Sequence, residues 1–340
     1  MNAGVHQVRL AGAQAAFTCD ASDTLLRAAQ RAGLGFPYEC NVGSCGNCKF
    51  ELIEGDVHNV WPLAPALSEK DRQRKRQLGC QSQPRSDCVI KLRTMAHYVP
   101  PHRPQRVAAT LRSRRALTHD LHEFSFELAL ALAFEPGQYA LAWLPGVEGP
   151  RAYSMSNATN GASAGAVWEF QVRQVAAGAG SAALFALQPG QHIAIDGPYG
   201  MAWLKRDVPR DILCLAGGSG LAPMIAIARA AMHEPQLAGR HLHFIYGGRT
   251  AADVCGEDML RVLPGWGTRL SYRAFISTPS PEAGPYEVAF VHEAALRLHG
   301  AALPSMEVYF AGPPLMATAV QRMLLDAGVP PSQQHFDQFY

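Results

Sequence analysis

The stretch Cys40-Asn41-Val42-Gly43-Ser44-Cys45-Gly46-Asn47-Cys48 constrains this 340-residue chain more than any other. Four residues separate its first two cysteines, two separate the next pair, and Cys80 follows after an interval of 31. C-x4-C-x2-C…C is the spacing of a plant-type 2Fe–2S cluster. Gly43, Ser44 and Gly46 let the backbone fold tightly around an inorganic core and bring N–H groups near its sulfurs. A larger or β-branched residue at Gly43 or Gly46 is expected to crowd the loop. A structural zinc site is the competing reading, but such sites usually come as two short-spaced thiol pairs, and here the fourth thiol stands alone. Disulfides suit a stapled secreted domain, not eight cysteines spread over this length. Cys19, Cys88, Cys214 and Cys255 sit in apolar or solitary settings and read as small buried hydrophobes.

A chain of this length exceeds one ordinary core and implies two or three domains. Its 48% apolar and 17% charged residues suit packed globules and exclude disorder. A formal charge of +2 gives no bulk electrostatic case for nucleic acid. The first residues lack the basic and apolar segments of a signal peptide, and no apolar run is long enough for a bilayer. The expected location is the reducing cytoplasm.

Taken in order, residues 5–18 read as two short strands with Gly12 between them. Ser22 and Asp23 offer N-caps to a helix from Thr24 that ends near Gly33, burying Leu25, Leu26, Ala28, Ala29 and Ala32. Strands at Lys49–Ile53 and Cys88–Arg93 complete the cysteine unit. The run Glu69-Lys70-Asp71-Arg72-Gln73-Arg74-Lys75-Arg76 could dock an acidic partner, but the plainer reading is a solvated helix of mixed charge. His97–Pro104 is proline-dense and reads as a stiff linker. Strand-like runs follow at 106–111, 123–128, 138–144, 152–156, 167–175 and 192–195, broken by Pro and Gly turns. Six such strands in about 100 residues predict a small antiparallel barrel.

From Asp211 the pattern changes. Ile212–Ala216 is continuously apolar, as in a strand buried on both faces. Further runs at 242–246, 270–276 and 307–310 alternate with helical segments, which predicts a parallel α/β sheet. Gly217-Gly218-Ser219-Gly220-Leu221-Ala222-Pro223 lies between the first of these strands and a helix start. There backbone N–H groups and the helix dipole face a pyrophosphate, and glycines permit its close approach. It falls short of G-x-G-x-x-G, and a tight strand-to-helix turn is the plainer alternative. A hydrolase elbow around Ser219 fails because Leu221 stands where glycine belongs. Arg151-Ala152-Tyr153-Ser154 falls on a barrel strand. Alternation puts Arg151 and Tyr153 on one surface, where arginine can clamp phosphate and tyrosine can stack on a flat heterocycle.

The order of cysteine loop, Arg-x-Tyr-Ser strand and Gly-Gly-Ser-Gly-Leu-Ala-Pro loop resembles the reductases of soluble bacterial multicomponent monooxygenases. Phe36-Pro37-Tyr38-Glu39-Cys40 and His335-Phe336-Asp337-Gln338-Phe339-Tyr340 are similar to the toluene (aromatic) monooxygenase type. The resemblance implies a multidomain α+β and α/β chain: a β-grasp plant-type ferredoxin domain (1–97), a six-stranded antiparallel FAD-binding β-barrel (98–205) and a parallel α/β NAD-binding domain (206–340). It implies cluster ligands Cys40, Cys45, Cys48 and Cys80. FAD would be held with Arg151 on its pyrophosphate, Tyr153 against the isoalloxazine and Ser154 near N5, with Gly178, Gly180 and Ser181 as a second phosphate loop. NADH would be bound by Gly217, Gly218, Ser219, Gly220 and Pro223, with Gly312 near the nicotinamide. Phe339 and Tyr340 would cover the flavin, Tyr340 beside Ser154 in the hydride step; ordinary packing is their alternative. Many relatives carry a cysteine where this chain has Ala311. Arg249 could meet a 2′-phosphate, although NADH users carry arginine there too.

The activity implied is NADH:acceptor oxidoreduction, with electrons passing through FAD and the cluster to a di-iron hydroxylase of aromatic or alkene oxidation. A Rieske dioxygenase system, reached through an intermediate Rieske ferredoxin, uses the same parts. A zinc-stabilised module without redox activity is the alternative of another class. The chain is expected to be monomeric, with no nucleic-acid or membrane partner and no di-iron site of its own.

Overall fold

The structure is a computed structural model that describes residues 4–158, 165–279 and 284–337. It separates into two compact units: the described residues of the first are 4–106 with Asp196–Tyr199, and those of the second are Val107–Ile195 with Gly200–Asp337.

In the first unit Val5–Leu10 pairs antiparallel with Ala16–Asp20 and parallel with Cys88–Lys91, which pairs antiparallel with Lys49–Glu54, itself edged by Arg76–Leu78. Helix Leu25–Arg31 buries Leu25, Leu26, Ala28 and Ala29. This is a β-grasp arrangement. The N-cap of the helix is Thr24, not Ser22 or Asp23. The Asp23 carboxylate is committed elsewhere: it accepts from the Thr24 N–H at 2.8 Å and pairs with Arg31 and Arg106. Arg31 and Arg106 also grip Asp196, which is fully buried and accepts the Tyr199 hydroxyl at 3.1 Å. The proline-rich stretch begins with a short turn, Ala96–Tyr98, and that turn is held on both sides. The Met95 N–H donates to the Gly35 carbonyl (2.9 Å), and the Gln30 amide donates to that of Tyr98 (3.3 Å).

All six expected barrel strands form, mostly from residues of the second unit: Gln105–Ala116, Leu121–Leu132, Tyr139–Trp143, Arg151–Ser154, Gly165–Arg173 and His192–Tyr199. The sheet's end strands are Arg151–Ser154 and Gly165–Arg173. They approach closure through a bridge between Met155 and Phe170 and a 2.7 Å bond from the Ser156 N–H to the Glu169 carbonyl. Phe124, Phe126, Phe134, Trp168 and Phe170 fill the interior. Helix Ala179–Ala186, which the sequence pattern did not single out, lies between strands Gly165–Arg173 and His192–Tyr199.

The rest of this unit is a parallel sheet. Asp211–Gly217 lies between Leu242–Gly248 and Met306–Ala311, with Leu270–Ile276 and short edges Glu287–Val288 and Gln334–His335 outside them. The apolar run splits by alternation. Ile212, Cys214 and Ala216 pack towards helix Leu221–His233, while Leu213 and Leu215 pack with residues of helices Val291–His299 and Pro314–Asp326. Burial on two faces is why no polar residue interrupts it. From the first strand, Asp211–Gly217, the chain proceeds to Leu242–Gly248 on one side and later returns to Met306–Ala311 on the other, so the carboxyl ends of Asp211–Gly217 and Met306–Ala311 form the switch point at which such sheets bind ligands.

Asp196→Ala removes charge-assisted bonds to Arg31 and Arg106, which keep Asp23 and partial exposure, and leaves the buried Tyr199 hydroxyl without this acceptor. It is expected to cost about 1.5–3 kcal/mol, read as a fall in the urea midpoint; a loss below about 0.5 kcal/mol would contradict that role.

Candidate cofactor and electron-transfer sites

The cysteine loop turns on three residues with left-handed backbone: Asn41 (φ 55), Gly43 (φ 94) and Gly46 (φ 81). Asn41 carries a side chain in that region and is held there by the buried Arg27, which donates to its Oδ1 at 3.2 Å and to its carbonyl at 3.3 Å. A Cβ on Gly43 would stand 2.9 Å from the Trp61 ring, so crowding holds there. At Gly46 the nearest neighbour would be 3.4 Å away, and the cost of substitution is backbone conformation rather than space.

The thiols fall into two pairs. Cys48 and Cys80 sulfurs lie 3.4 Å apart, and the Cys40 sulfur accepts the N–H group of Cys45 (3.3 Å) as well as those of Ser44 (3.3 Å) and Val42 (3.5 Å). The neighbouring Cys45 thiol and these amides hold the Cys40 thiol well below the ordinary thiol range, against the effect of burial. The Gln81 amide lies 3.6 Å from the Cys80 sulfur. Phe36, seated where a Cβ on Gly79 would stand, fixes the approach to Cys80. Two sulfur pairs with N–H donors aimed at sulfur fit a two-iron cluster, which needs two thiolates per iron and a hydrogen-bonded shell. Of the other cysteines, Cys19, Cys88 and Cys214 are buried as expected, while Cys255 is half-buried with its sulfur 3.8 Å from the Tyr246 hydroxyl.

On the barrel, the Arg151 stem lies against Gly180, where a Cβ would come within 2.7 Å of Arg151 Cγ. That places a guanidinium beside the first turn of helix Ala179–Ala186, a constellation that receives phosphate. Arg151 Nη1 meanwhile donates to the carbonyls of Glu148, Gly149 and Pro150 at 3.0–3.3 Å. The Ser181 hydroxyl is used locally, accepting from the Val175 N–H (3.0 Å) and donating to the Gly178 carbonyl (3.1 Å), so it shapes this loop. Burial pushes the Tyr153 phenol up to about 12 and keeps it neutral. Ser154 is half-buried on the same strand, its Cα opposite Tyr139.

At the switch point Gly218–Gly220 make one tight turn ahead of helix Leu221–His233, with Pro223 in its first turn, where a missing N–H costs nothing. Gly218 has φ 57. A Cβ on Gly220 would overlap the Ala311 carbonyl, and one on Gly312 would strike the Met316 sulfur. Gly217, Gly220 and Gly312 are thus drawn together, with Ala311 in the wall and Ser219 exposed. Phe339 and Tyr340 lie outside the described residues. The segment before them is anchored: Phe336 stacks on Phe310 (4.6 Å), and Asp337 accepts the Met201 N–H (3.0 Å).

Arg173 escaped the sequence reading. Its Nη1 would stand 3.1 Å from a Cβ on Gly218, beside the glycine turn. Asp120 (3.3 Å) and the buried Asp253 (3.4 Å) hold it, and both also face Arg249. Outside the cysteine site, His119, Asp120 and Asp253 form a metal-compatible grouping among the described residues, but its cations are these two guanidiniums. A basic residue ending a barrel strand was the available signal; its partner glycine lies 45 positions away.

A thiolate cluster site, a flavin-type barrel and a nucleotide-type sheet define an iron–sulfur flavoprotein reductase. Family models agree: a 2Fe-2S iron-sulfur cluster binding domain matches residues 8–85, an oxidoreductase FAD-binding domain 108–203 and an oxidoreductase NAD-binding domain 214–322. The chain is 38% identical to the ferredoxin–NAD(P)+ reductase CarAd of Metapseudomonas resinovorans, over 99% of this chain and 100% of that one. It is 36% identical to the ferredoxin–NAD+ reductase component of the alkene monooxygenase system of Xanthobacter autotrophicus, over 95% and 97%. Among solved structures, the ferredoxin reductase in carbazole 1,9a-dioxygenase superposes with a TM-score of 0.90 at 35% identity, covering 99% of each chain. The chain belongs to the ferredoxin–NAD(P)+ reductases of multicomponent oxygenase systems. It is an oxidoreductase with a 2Fe–2S cluster, FAD and NAD as cofactors. No described helix is long and apolar enough to cross a membrane.

Serine at Cys40, Cys45, Cys48 or Cys80 is expected to reduce bound iron and cytochrome c reduction together; retention of both would refute the ligand assignment. Arg173→Gln is expected to raise KM for NADH about tenfold, the equivalent of one charge-assisted contact of about 1.5 kcal/mol. An unchanged KM would make Arg173 purely structural.

Proposed function

We propose that the chain takes electrons from NADH and hands them singly, through a cluster on Cys40, Cys45, Cys48 and Cys80, to the di-iron hydroxylase of an aromatic or alkene monooxygenase. The observation that carries this is the two-by-two thiol arrangement in a chain that also holds a flavin-type barrel and a dinucleotide switch point. Bound FAD supplies the exchange between a two-electron donor and a one-electron carrier.

The chain's own residues bind and orient. Arg151 with Gly178 and Gly180 receives the flavin pyrophosphate, Tyr153 offers its ring to the isoalloxazine, and Ser154 places a hydroxyl at the edge near N5. Gly217, Gly218, Ser219 and Gly220 present backbone to the NADH pyrophosphate, with Pro223 opening the helix and Gly312 leaving room for the nicotinamide. Phe339 and Tyr340 shield the flavin. The monomer is the working form, in the cytoplasm.

A second reading, delivery to a Rieske dioxygenase through a Rieske ferredoxin, is favoured by the similarity to the carbazole 1,9a-dioxygenase reductase. The similarity to the alkene monooxygenase component favours the first.

Anaerobic titration with NADH, followed by visible spectroscopy and low-temperature EPR, is expected to bleach the flavin and develop a reduced 2Fe–2S signal in one series. A colourless, zinc-containing protein would end the proposal. Reconstituted turnover with a di-iron hydroxylase but not with a Rieske ferredoxin is the result that separates the two acceptors.

A further inference from the structure

We propose that Trp61, Leu63 and the cationic run Lys70–Arg76 form the docking face for a protein electron acceptor that presents an acidic rim around an apolar centre. This rests on the reading that electrons leave through the four-cysteine site.

Three of the four cysteines are buried, whereas Cys45 is partly open, flanked by half-exposed Ser44 and Gly46 and by exposed Asn47. Electrons therefore have one open edge of this loop to leave by. The segment 60–66 runs beside that edge: the Trp61 ring lies against Gly43, and Ala66 lies against Gly46. Trp61 is 42% exposed and Leu63 78%. These side chains do not hang on a loose loop. The Val60 N–H donates to the Gln81 carbonyl (2.9 Å), the Trp61 N–H to Asn59 Oδ1 (3.0 Å), and the Ala64 N–H to the Trp61 carbonyl (3.0 Å). A fixed apolar patch left in water beside a redox exit is what an association surface requires.

The charge next to it is predominantly positive. The chain continues from Ala66 into a turn capped by Ser68 and Asp71, then helix Glu69–Gln73 and a return through Arg74 and Lys75 to Arg76. Residues 69–76 hold five basic and two acidic side chains, an excess of three against +2 for the whole chain. The segment is thus a local positive patch. Of the two acids, Asp71 is buried and bound by Ser68 (2.6 Å), Lys49 (2.9 Å) and Arg76 (3.3 Å). Glu69 alone faces the exposed Lys70, Arg72, Arg74 and Lys75. Such a patch steers an acidic partner and repels a basic one, in a way that salt screens.

The test uses the full chain with its cofactors and two soluble acceptors: cytochrome b5, which is acidic, and cytochrome c, which is basic. Reduction of cytochrome b5 by NADH is expected to lose about tenfold in kcat/KM between low and physiological salt, with cytochrome c losing less or gaining. The triple variant R72E/R74E/K75E is expected to lower kcat/KM for cytochrome b5 about tenfold at low salt and to raise it for cytochrome c. L63S should lower cytochrome b5 turnover by about threefold, the scale of one rim apolar contact. Iron content and the rate of flavin reduction by NADH should stay unchanged in both variants. Equal losses with both cytochromes, or indifference of cytochrome b5 to salt and charge reversal, would overturn the docking face. Micromolar binding of duplex DNA that the triple variant abolishes would reassign the patch to nucleic acid. If instead Cys45→Ser leaves cytochrome reduction intact, the cluster is not the exit, and it is that underlying reading which fails.

Discussion

A chain that holds an inorganic cluster must bend its backbone round sulfurs while aiming amides at them, and that requirement organises the first unit. Asn41, Gly43 and Gly46 supply the left-handed turns. Other residues make those turns affordable: Arg27 pins Asn41 by two hydrogen bonds, and Trp61 closes the space over Gly43. Phe36 occupies the space left by Gly79, next to Cys80. The cysteines are the reason for the loop, but arginine and aromatic side chains hold its shape.

In the second unit the constraint is crowding at the carboxyl ends of two parallel strands. Gly217 and Gly220 on one side and Gly312 on the other leave no room for side chains, because the Ala311 carbonyl and the Met316 sulfur already fill that space. The turn therefore reaches the surface through Ser219, ahead of a helix start of the kind that phosphate can approach. The barrel meets the same need differently, by laying the Arg151 stem across Gly180 at a helix start.

Much of the fold was legible because its signals are local. Strand alternation and turn residues gave all six barrel strands, and the apolar run from Ile212 marked the central strand of the parallel sheet. Cysteine spacing alone pointed to the cluster loop. What stayed hidden depends on residues distant in sequence. The N-cap moved to Thr24 because Asp23 is drawn off by Arg31 and Arg106. The Ser181 hydroxyl is spent on its own loop, and Arg173 meets Gly218 only once barrel and sheet have folded. The edge strands Glu287–Val288 and Gln334–His335 are two residues each, too short to carry any periodicity.

The pairing of Arg173 and Arg249 with Asp120 and Asp253 has a kinetic corollary. Two guanidiniums balanced by two carboxylates cast almost no field beyond a Debye length of about 8 Å at physiological ionic strength. A dinucleotide diffusing past would feel little pull from this corner of the molecule. Under the proposed function, capture there would depend on short-range fit to the glycine turn, so the donor and the protein acceptor would be recruited by opposite strategies, one by shape at contact and the other by attraction at a distance.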